Sequence, residues 1–265
     1  MERPAPRQAD REGSHEGLAY SLWLPDRMGA AREAERGART RPLPDPPWPG
    51  IVILHGAGSR KENHADFARL AAAAGWAALA FDARGHGASD GEMSPTAADD
   101  VIRMVRLLAA TSGVDSARVA VRGSSLGGFL ALHAAAVADE IAGVIAICPA
   151  GEDHLRRGLR RGELEMRVAD PVAMAAWLAE HDLRNSVEWI AGRPLLLLHA
   201  EGDDQIPSEW SEELYEHAAE PCKLVLVPGG NHRSLQHDPE LQGMALRWLE
   251  RELEATGRSP RPGSG

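Results

Sequence analysis

Cysteine, positive charge and long apolar runs are all scarce in this chain. Cys148 and Cys222 are its only cysteines. Two are too few for a disulfide framework, so both are expected as buried free thiols. Acidic residues outnumber basic ones, 39 against 29, for a formal net charge of −10. A nucleic-acid partner calls for a basic face, so none is expected. No window reaches the roughly 18 consecutive apolar residues of a membrane-spanning helix. The start, Met1-Glu2-Arg3-Pro4, is charged and lacks the apolar stretch of a secretory signal, so a cytoplasmic location is expected. There is no Gly-x-x-x-x-Gly-Lys phosphate loop and no His/Cys/Asp cluster with convincing metal spacing. No metal or cofactor is expected. Internal repeats and heptads are missing as well.

What is present is an ordinary globular composition and a regular alternation. The 265 residues, 43% hydrophobic and 26% charged, suffice for one large α/β domain. Residues 1–15 are polar and are expected to be a flexible N-terminus, followed by a strand over 18–24. Residues 26–49 make a long Arg-, Ala- and then Pro-rich connection, with room for one short helix at 27–39. From residue 50, short apolar runs alternate with helical stretches. Strands are expected at 51–54, 76–81, 119–122, 141–148, 195–198 and 223–227. Helices are expected at 62–74, 95–111, 126–138, 208–219 and 239–254. Such alternation implies βαβ units and a mostly parallel sheet. Residues 151–192 interrupt it with mixed charge and suggest one or two helices, read either as a solvated excursion or as a small lid. Within them, Trp177 and Trp189 are candidates for a pocket wall or for plain core packing. The tail, 256–265, is rich in Gly, Pro and Ser and is expected to be disordered.

One pentapeptide points to chemistry. Gly123-Ser124-Ser125-Leu126-Gly127 lies between an expected strand and an expected helix. A sharp turn there would aim a serine hydroxyl outward. Ser125 alone has glycine at both flanking positions; Ser124 does not. Acyl transfer by serine further needs a base, a group that orients the base and an oxyanion hole. Each has a candidate just after an expected strand, and in a parallel sheet those strand ends share one edge. His232, in Pro228-Gly229-Gly230-Asn231-His232, is the candidate base, with His237 as its rival. Asp203, in His199-Ala200-Glu201-Gly202-Asp203-Asp204, is the candidate orienting acid; Asp204 reads as a helix-end or solvent charge. The Leu126 N–H, at a helix start, and the Ala57 N–H, with Gly58 second, are the oxyanion-hole candidates. The loop Asp82-Ala83-Arg84-Gly85-His86-Gly87-Ala88-Ser89 reads as structural, a wall of the site.

These motifs resemble those of the α/β-hydrolase superfamily. The carriers are His55-Gly56-Ala57-Gly58, Gly85-His86-Gly87, Gly123-Ser124-Ser125-Leu126-Gly127, the 202–207 stretch and Asn231-His232, in the family's Ser, Asp, His order. Within it the chain resembles small bacterial carboxylesterases, including feruloyl-esterase-like proteins, and serine aminopeptidase-type hydrolases. The resemblance implies a single α/β-hydrolase domain over 16–255 with 151–192 as a cap. It implies a small-molecule ester as substrate and hydrolysis through an acyl-enzyme on Ser125. Dienelactone-hydrolase-like relatives carry Cys where this chain has Ser125. Many members carry His where it has Ser124, and the 26–49 insert is longer than expected. Amide hydrolysis with the same residues is the second reading; a hydrolase-fold binding protein without activity is the third.

Overall fold

The computed structural model describes residues 7–26 and 43–257. The short helix expected at 27–39, and the tail beyond 257, lie outside the described residues. Eight strands form one sheet: β1 (Arg11–His15), β2 (Leu18–Trp23), β3 (Trp48–Leu54), β4 (Ala77–Phe81), β5 (Val114–Ser124), β6 (Val144–Ile147), β7 (Leu195–Ala200) and β8 (Cys222–Val227). Their spatial order is β1-β2-β4-β3-β5-β6-β7-β8. All pairings from β4 to β8 are parallel, while β1 and β2 form an antiparallel edge hairpin. Residues 11–15 were expected within a flexible start. Instead they pair with β2 from Arg11↔Leu22 to His15↔Leu18. Backbone pairing, rather than burial, places this exposed strand, which is why hydropathy misses it.

Period-two alternation divides the core. Val52, Leu54, Leu79, Phe81, Val119, Val121 and Val144 face one layer, whereas Ile51, Ile53, Ala78, Ala80, Ala120 and Ile145 face the other. Strands buried on both sides must be apolar at every position, which explains their unbroken runs in sequence. Helices α2 (Ala97–Ala109) and α3 (Leu126–Val137) cover the first face; α1 (Ala65–Ala73) and α8 (Pro239–Gly257) cover the second. Both cysteines are buried free thiols.

Residues 151–192 hold three helices rather than one or two: α4 (Glu152–Arg161), α5 (Pro171–Glu180) and α6 (Leu183–Trp189). Charge and caps delimit them. Glu152 and Asp153 open α4 and Arg160 and Arg161 close it, in accord with the helix dipole, before Gly162 turns left-handed at φ 67°. Asp170 caps α5 by accepting from the Val172 and Ala173 N–H groups, with Pro171 at the first helical position. Trp177 packs edge-on to Phe129 and His133 of α3, whereas Trp189 is 64% exposed. Helix α7 (Glu209–His217) then links β7 to β8.

Candidate active site

Ser125 stands between the end of β5 and the start of α3 with φ 52° and ψ −118°. That region is strained for any side-chain-bearing residue. Backbone bonds to β6 and to the segment after it help hold it there. The Ser125 N–H donates to the Ile147 carbonyl (3.0 Å), and the Ser125 carbonyl accepts from the Ala150 N–H (3.1 Å). The flanking glycines permit the close approach. A Cβ on Gly123 would collide with the Gly127 carbonyl, and one on Gly127 would lie 2.6 Å from the His55 carbonyl oxygen. The α3 start is thus pressed directly against the loop after β3. A Cβ built on Gly56 in that loop would sit 3.2 Å from Ser125 Cβ. Ala57 follows Gly56, and Leu126 is the first residue of α3, whose N–H has no acceptor within its own helix.

The loop after β3 is itself fixed. His55 Nδ1 donates to the Gly56 carbonyl (2.8 Å), and His55 Nε2 accepts from the Ala83 N–H (3.0 Å). Burial pushes its pKa down to about 4, so the ring is neutral and can serve both bonds. The buried Asp82 carboxylate accepts from the Lys61 N–H (2.7 Å) and the Ala88 N–H (2.9 Å). It thereby ties the 83–89 loop to the chain entering α1.

Asp203 follows β7 and His232 follows β8, adjacent parallel strands. The carboxylate Oδ2 accepts from His232 Nδ1 at 2.6 Å, with the Asp203 side chain fully buried and that of His232 7% exposed. Since a carboxylate only accepts, Nδ1 carries the hydrogen and Nε2 keeps a lone pair. Asp203 Oδ1 accepts from the Gln205 N–H (2.9 Å) and the Ile206 N–H (3.0 Å). Burial alone would raise this carboxyl, but the hydrogen bonds from His199, His232 and the two backbone N–H groups outweigh it. They hold the carboxyl far below the ordinary range.

Two residues near this pair had no assigned role in the sequence reading. His199, fully buried at the end of β7, places Nε2 3.3 Å from Asp203 Oδ2 and 3.0 Å from the Ile206 carbonyl. Its Nδ1 is 2.6 Å from Ser211 Oγ. The carbonyl only accepts, so Nε2 carries a hydrogen and a second imidazole donates toward Asp203. The Cys148 sulfur lies beside the pair: sulfur, an Asp203 oxygen and a His232 nitrogen all fall within 4.8 Å of one another. Burial pushes this thiol up to about 12, which leaves it protonated and inert. Both residues end strands on the edge that carries Ser125. That shared position was the available signal.

The other candidates lie elsewhere. His237 bonds to Asp66 Oδ2 of α1 at 3.0 Å. Asp204 is exposed. Ser124 Oγ is buried at the end of β5 without a hydrogen-bond partner.

A family model described as "Serine aminopeptidase, S33" matches residues 45–188. The chain belongs to this family. It is thus a member of a hydrolase family. The uncharacterized protein YfhR of Escherichia coli O157:H7 is 27% identical over 192 residues, 69% of this chain and 62% of that one. An uncharacterized protein of Mycobacterium tuberculosis strain H37Rv is 31% identical over 202 residues, 73% of this chain and 64% of that one. The chain therefore spans under two thirds of the length of these curated relatives. Among solved structures, GrgF from Penicillium sp. sh18, an α/β hydrolase, aligns at TM-score 0.71 and 20% identity, covering 94% of this chain and all of that one. Est1E from Butyrivibrio proteoclasticus, solved with ferulic acid, aligns at TM-score 0.67 and 21% identity over 92% and 99% of the two chains. An esterase domain from Rhodothermus marinus aligns at TM-score 0.64 and 21% identity over 88% and 92%. These likenesses establish the α/β-hydrolase fold. Among the described residues no helix is long and apolar enough to cross a membrane.

Proposed function

We propose that this S33-family hydrolase is a serine carboxylesterase that cleaves small to medium acyl esters through an acyl-enzyme. Ser125 Oγ attacks the ester carbonyl, and His232 Nε2 takes its proton. The Leu126 and Ala57 N–H groups hold the tetrahedral oxyanion. His232 then returns the proton to the leaving alkoxide, and the carbonyl re-forms as an ester on Ser125. Water enters by the same route, giving up a proton to His232, and releases the acid. Asp203 orients His232 and stabilises the imidazolium. The observation that carries this reading is the buried 2.6 Å contact from Asp203 to His232 Nδ1, which leaves Nε2 free as base. The strained Ser125 turn and the three esterase or α/β-hydrolase neighbours support it.

The test is hydrolysis of short-chain p-nitrophenyl esters by wild type and Ser125→Ala. Loss of roughly 10⁴-fold or more in kcat is expected. Retention of most activity would exclude Ser125 as nucleophile. His232→Ala is expected to match Ser125→Ala, and His237→Ala to stay near wild type.

The family description favours one second reading, amide or peptide hydrolysis by the same residues. Parallel assays with p-nitrophenyl esters and aminoacyl anilides separate the two.

A further inference from the structure

Beside the site, a cleft of about 490 Å³ opens between the 58–63 loop, the 85–87 loop and the segment joining α4 to α5. It begins at Gly58, two residues after the glycine that faces Ser125. The joining segment reads Glu163-Leu164-Glu165-Met166-Arg167-Val168, bends at Leu164 and Met166, and makes a single parallel bridge between Val168 and Met93. Its backbone is strapped down: the Arg167 N–H donates to the Gly85 carbonyl (3.2 Å), and the Met93 N–H donates to the Arg167 carbonyl (2.9 Å). Leu164, Met166 and Val168 pack against the core, while Glu165 and Arg167 line the cleft. A Cβ on Gly58 would sit 2.5 Å from Glu165 Oε2, so the strap roofs the loop carrying Ala57.

Besides Glu165 and Arg167 the lining is Ser59, Arg60, Asn63, His86 and glycines, without one apolar side chain. An alkyl chain gains nothing by entering it. Charge narrows the choice further. Arg167 has no ion pair among the described residues, and Arg60 has only Glu62 at 3.7 Å, with both of those side chains more than half exposed. Glu62 is itself engaged by Lys61. Two weakly matched guanidiniums thus face a single lining carboxylate, Glu165, in a chain of net charge −10. A locally positive cleft in an acidic protein attracts an anion, and guanidinium is shaped for carboxylate.

We propose that this cleft is a recognition subsite for a carboxylate carried by the ester substrate, with Arg167 and Arg60 as its charge partners. The inference rests on Ser125 being the nucleophile, and the test separates the two claims. Wild type is assayed on mono-p-nitrophenyl esters of succinic, glutaric and adipic acid, each against its methyl-capped neutral twin. A matching pair carries the carboxylate on the alcohol side, as 4-carboxyphenyl butyrate and its methyl ester. At one length or on one side, the charged ester should exceed its twin in kcat/KM by roughly ten- to a hundredfold, the scale of a charge-assisted pair. Arg167→Gln should erase that preference and leave the neutral rate unchanged. Arg60→Gln should reduce it, and Arg156→Gln, outside the cleft, should do neither. Equal rates on every pair, or an Arg167→Gln loss shared equally by charged and neutral esters, would overturn the proposal. If wild type hydrolyses none of these esters, the carboxylesterase reading falls. The cleft is then judged by monomethyl succinate, glutarate and adipate in thermal shift: a rise in Tm that Arg167→Gln abolishes upholds it, and no rise with any of the three ends it.

Discussion

Two charged clusters, one around Asp203 and one around Arg184, make about the same number of contacts. Asp203 receives His232, His199 and the backbone N–H groups of Gln205 and Ile206. Arg184 reaches Asp182 (2.8 Å), Glu213 (2.9 Å) and Glu152 (3.9 Å), tying α6 to α7 and to the start of α4. The difference is the medium. Asp203 is fully buried, whereas the Arg184 side chain is 37% exposed and its Asp182 and Glu213 partners similarly so. In low dielectric an unmatched charge is costly and a matched one is rigid. In water the same geometry is screened and contributes little. The number of contacts is therefore a poor guide to importance here, and burial a good one.

Between these two clusters the largest effect should come from Asp203→Asn. The amide could present N–H to His232 Nδ1, which would flip the tautomer and occupy Nε2, the nitrogen proposed as base. A fall in kcat on the order of 10⁴-fold is expected, the scale of such an orienting carboxylate. A loss below tenfold, measured on p-nitrophenyl esters, would place Asp203 outside the chemistry.

His199 comes next, as a positioning residue acting through Asp203. His199→Leu removes one donor from Asp203 Oδ2, so the carboxylate pulls harder on the His232 proton. Its kcat should drop roughly ten- to a hundredfold with KM little changed, as happens when an outer partner of a functional histidine is lost. The acid limb of the kcat/KM profile should move to higher pH. His199→Gln, whose amide can still donate near the Nε2 position, should restore most of both. An unmoved pH limb would reduce His199 to packing.

How much of this was legible beforehand depends on what each feature rests on. The parallel strands were plain, because burial on both faces forces unbroken apolar runs such as Ile51-Val52-Ile53-Leu54. The Ser125 turn, Asp203 and His232 were legible because parallel strands deliver their ends to one edge, and the structure brings Asp203 and His232 into contact. The β1 strand was not, since Arg11–His15 is exposed and held by backbone bonds that any side chains permit. Helices α4, α5 and α6 were undercounted because their limits are set by single caps, Gly162, Asp170 and Asp182, rather than by a shift in hydropathy. His199 carries no distinguishing signal in the sequence beyond its place at a strand end. Its role depends on a contact to Ser211, twelve residues on, that only folding supplies.

Acid should expose the buried side of the comparison in the wild type. Burial holds His55 at about 4 against an ordinary 6.5. The folded ring stays neutral while the unfolded one takes up a proton as pH falls below 6.5. Stability is therefore complete above that value and declines by roughly 3 kcal/mol by pH 4. His133, brought to about 4 mainly by burial but also partly by His181, adds in the same direction, by less because it is less enclosed. Asp203, held low, extends the loss below pH 4, where the unfolded carboxyl protonates first. Thermal melts from pH 7.5 to 4 should show Tm level above about pH 6.5 and falling below it, and a flat curve would contradict the buried neutral imidazoles.

The smallest effect should come from Arg184→Ala, although it removes the most heavily paired surface cation among the described residues. Its contacts to Asp182 and Glu213 raise the guanidinium pKa further, yet arginine is charged at every working pH, so that shift has no consequence for stability. Deletion also leaves Asp182 its capping bond from the residue-184 N–H, which any side chain preserves. The expected loss is below about 1 kcal/mol, or roughly 2–4 °C in Tm for a chain of this size, and it should shrink further in 0.5 M salt. The rate on p-nitrophenyl esters should be unchanged. A loss of several kcal/mol that persists in high salt would mean that the α6–α7 seam is far drier than its exposure indicates, and burial would no longer separate the two clusters.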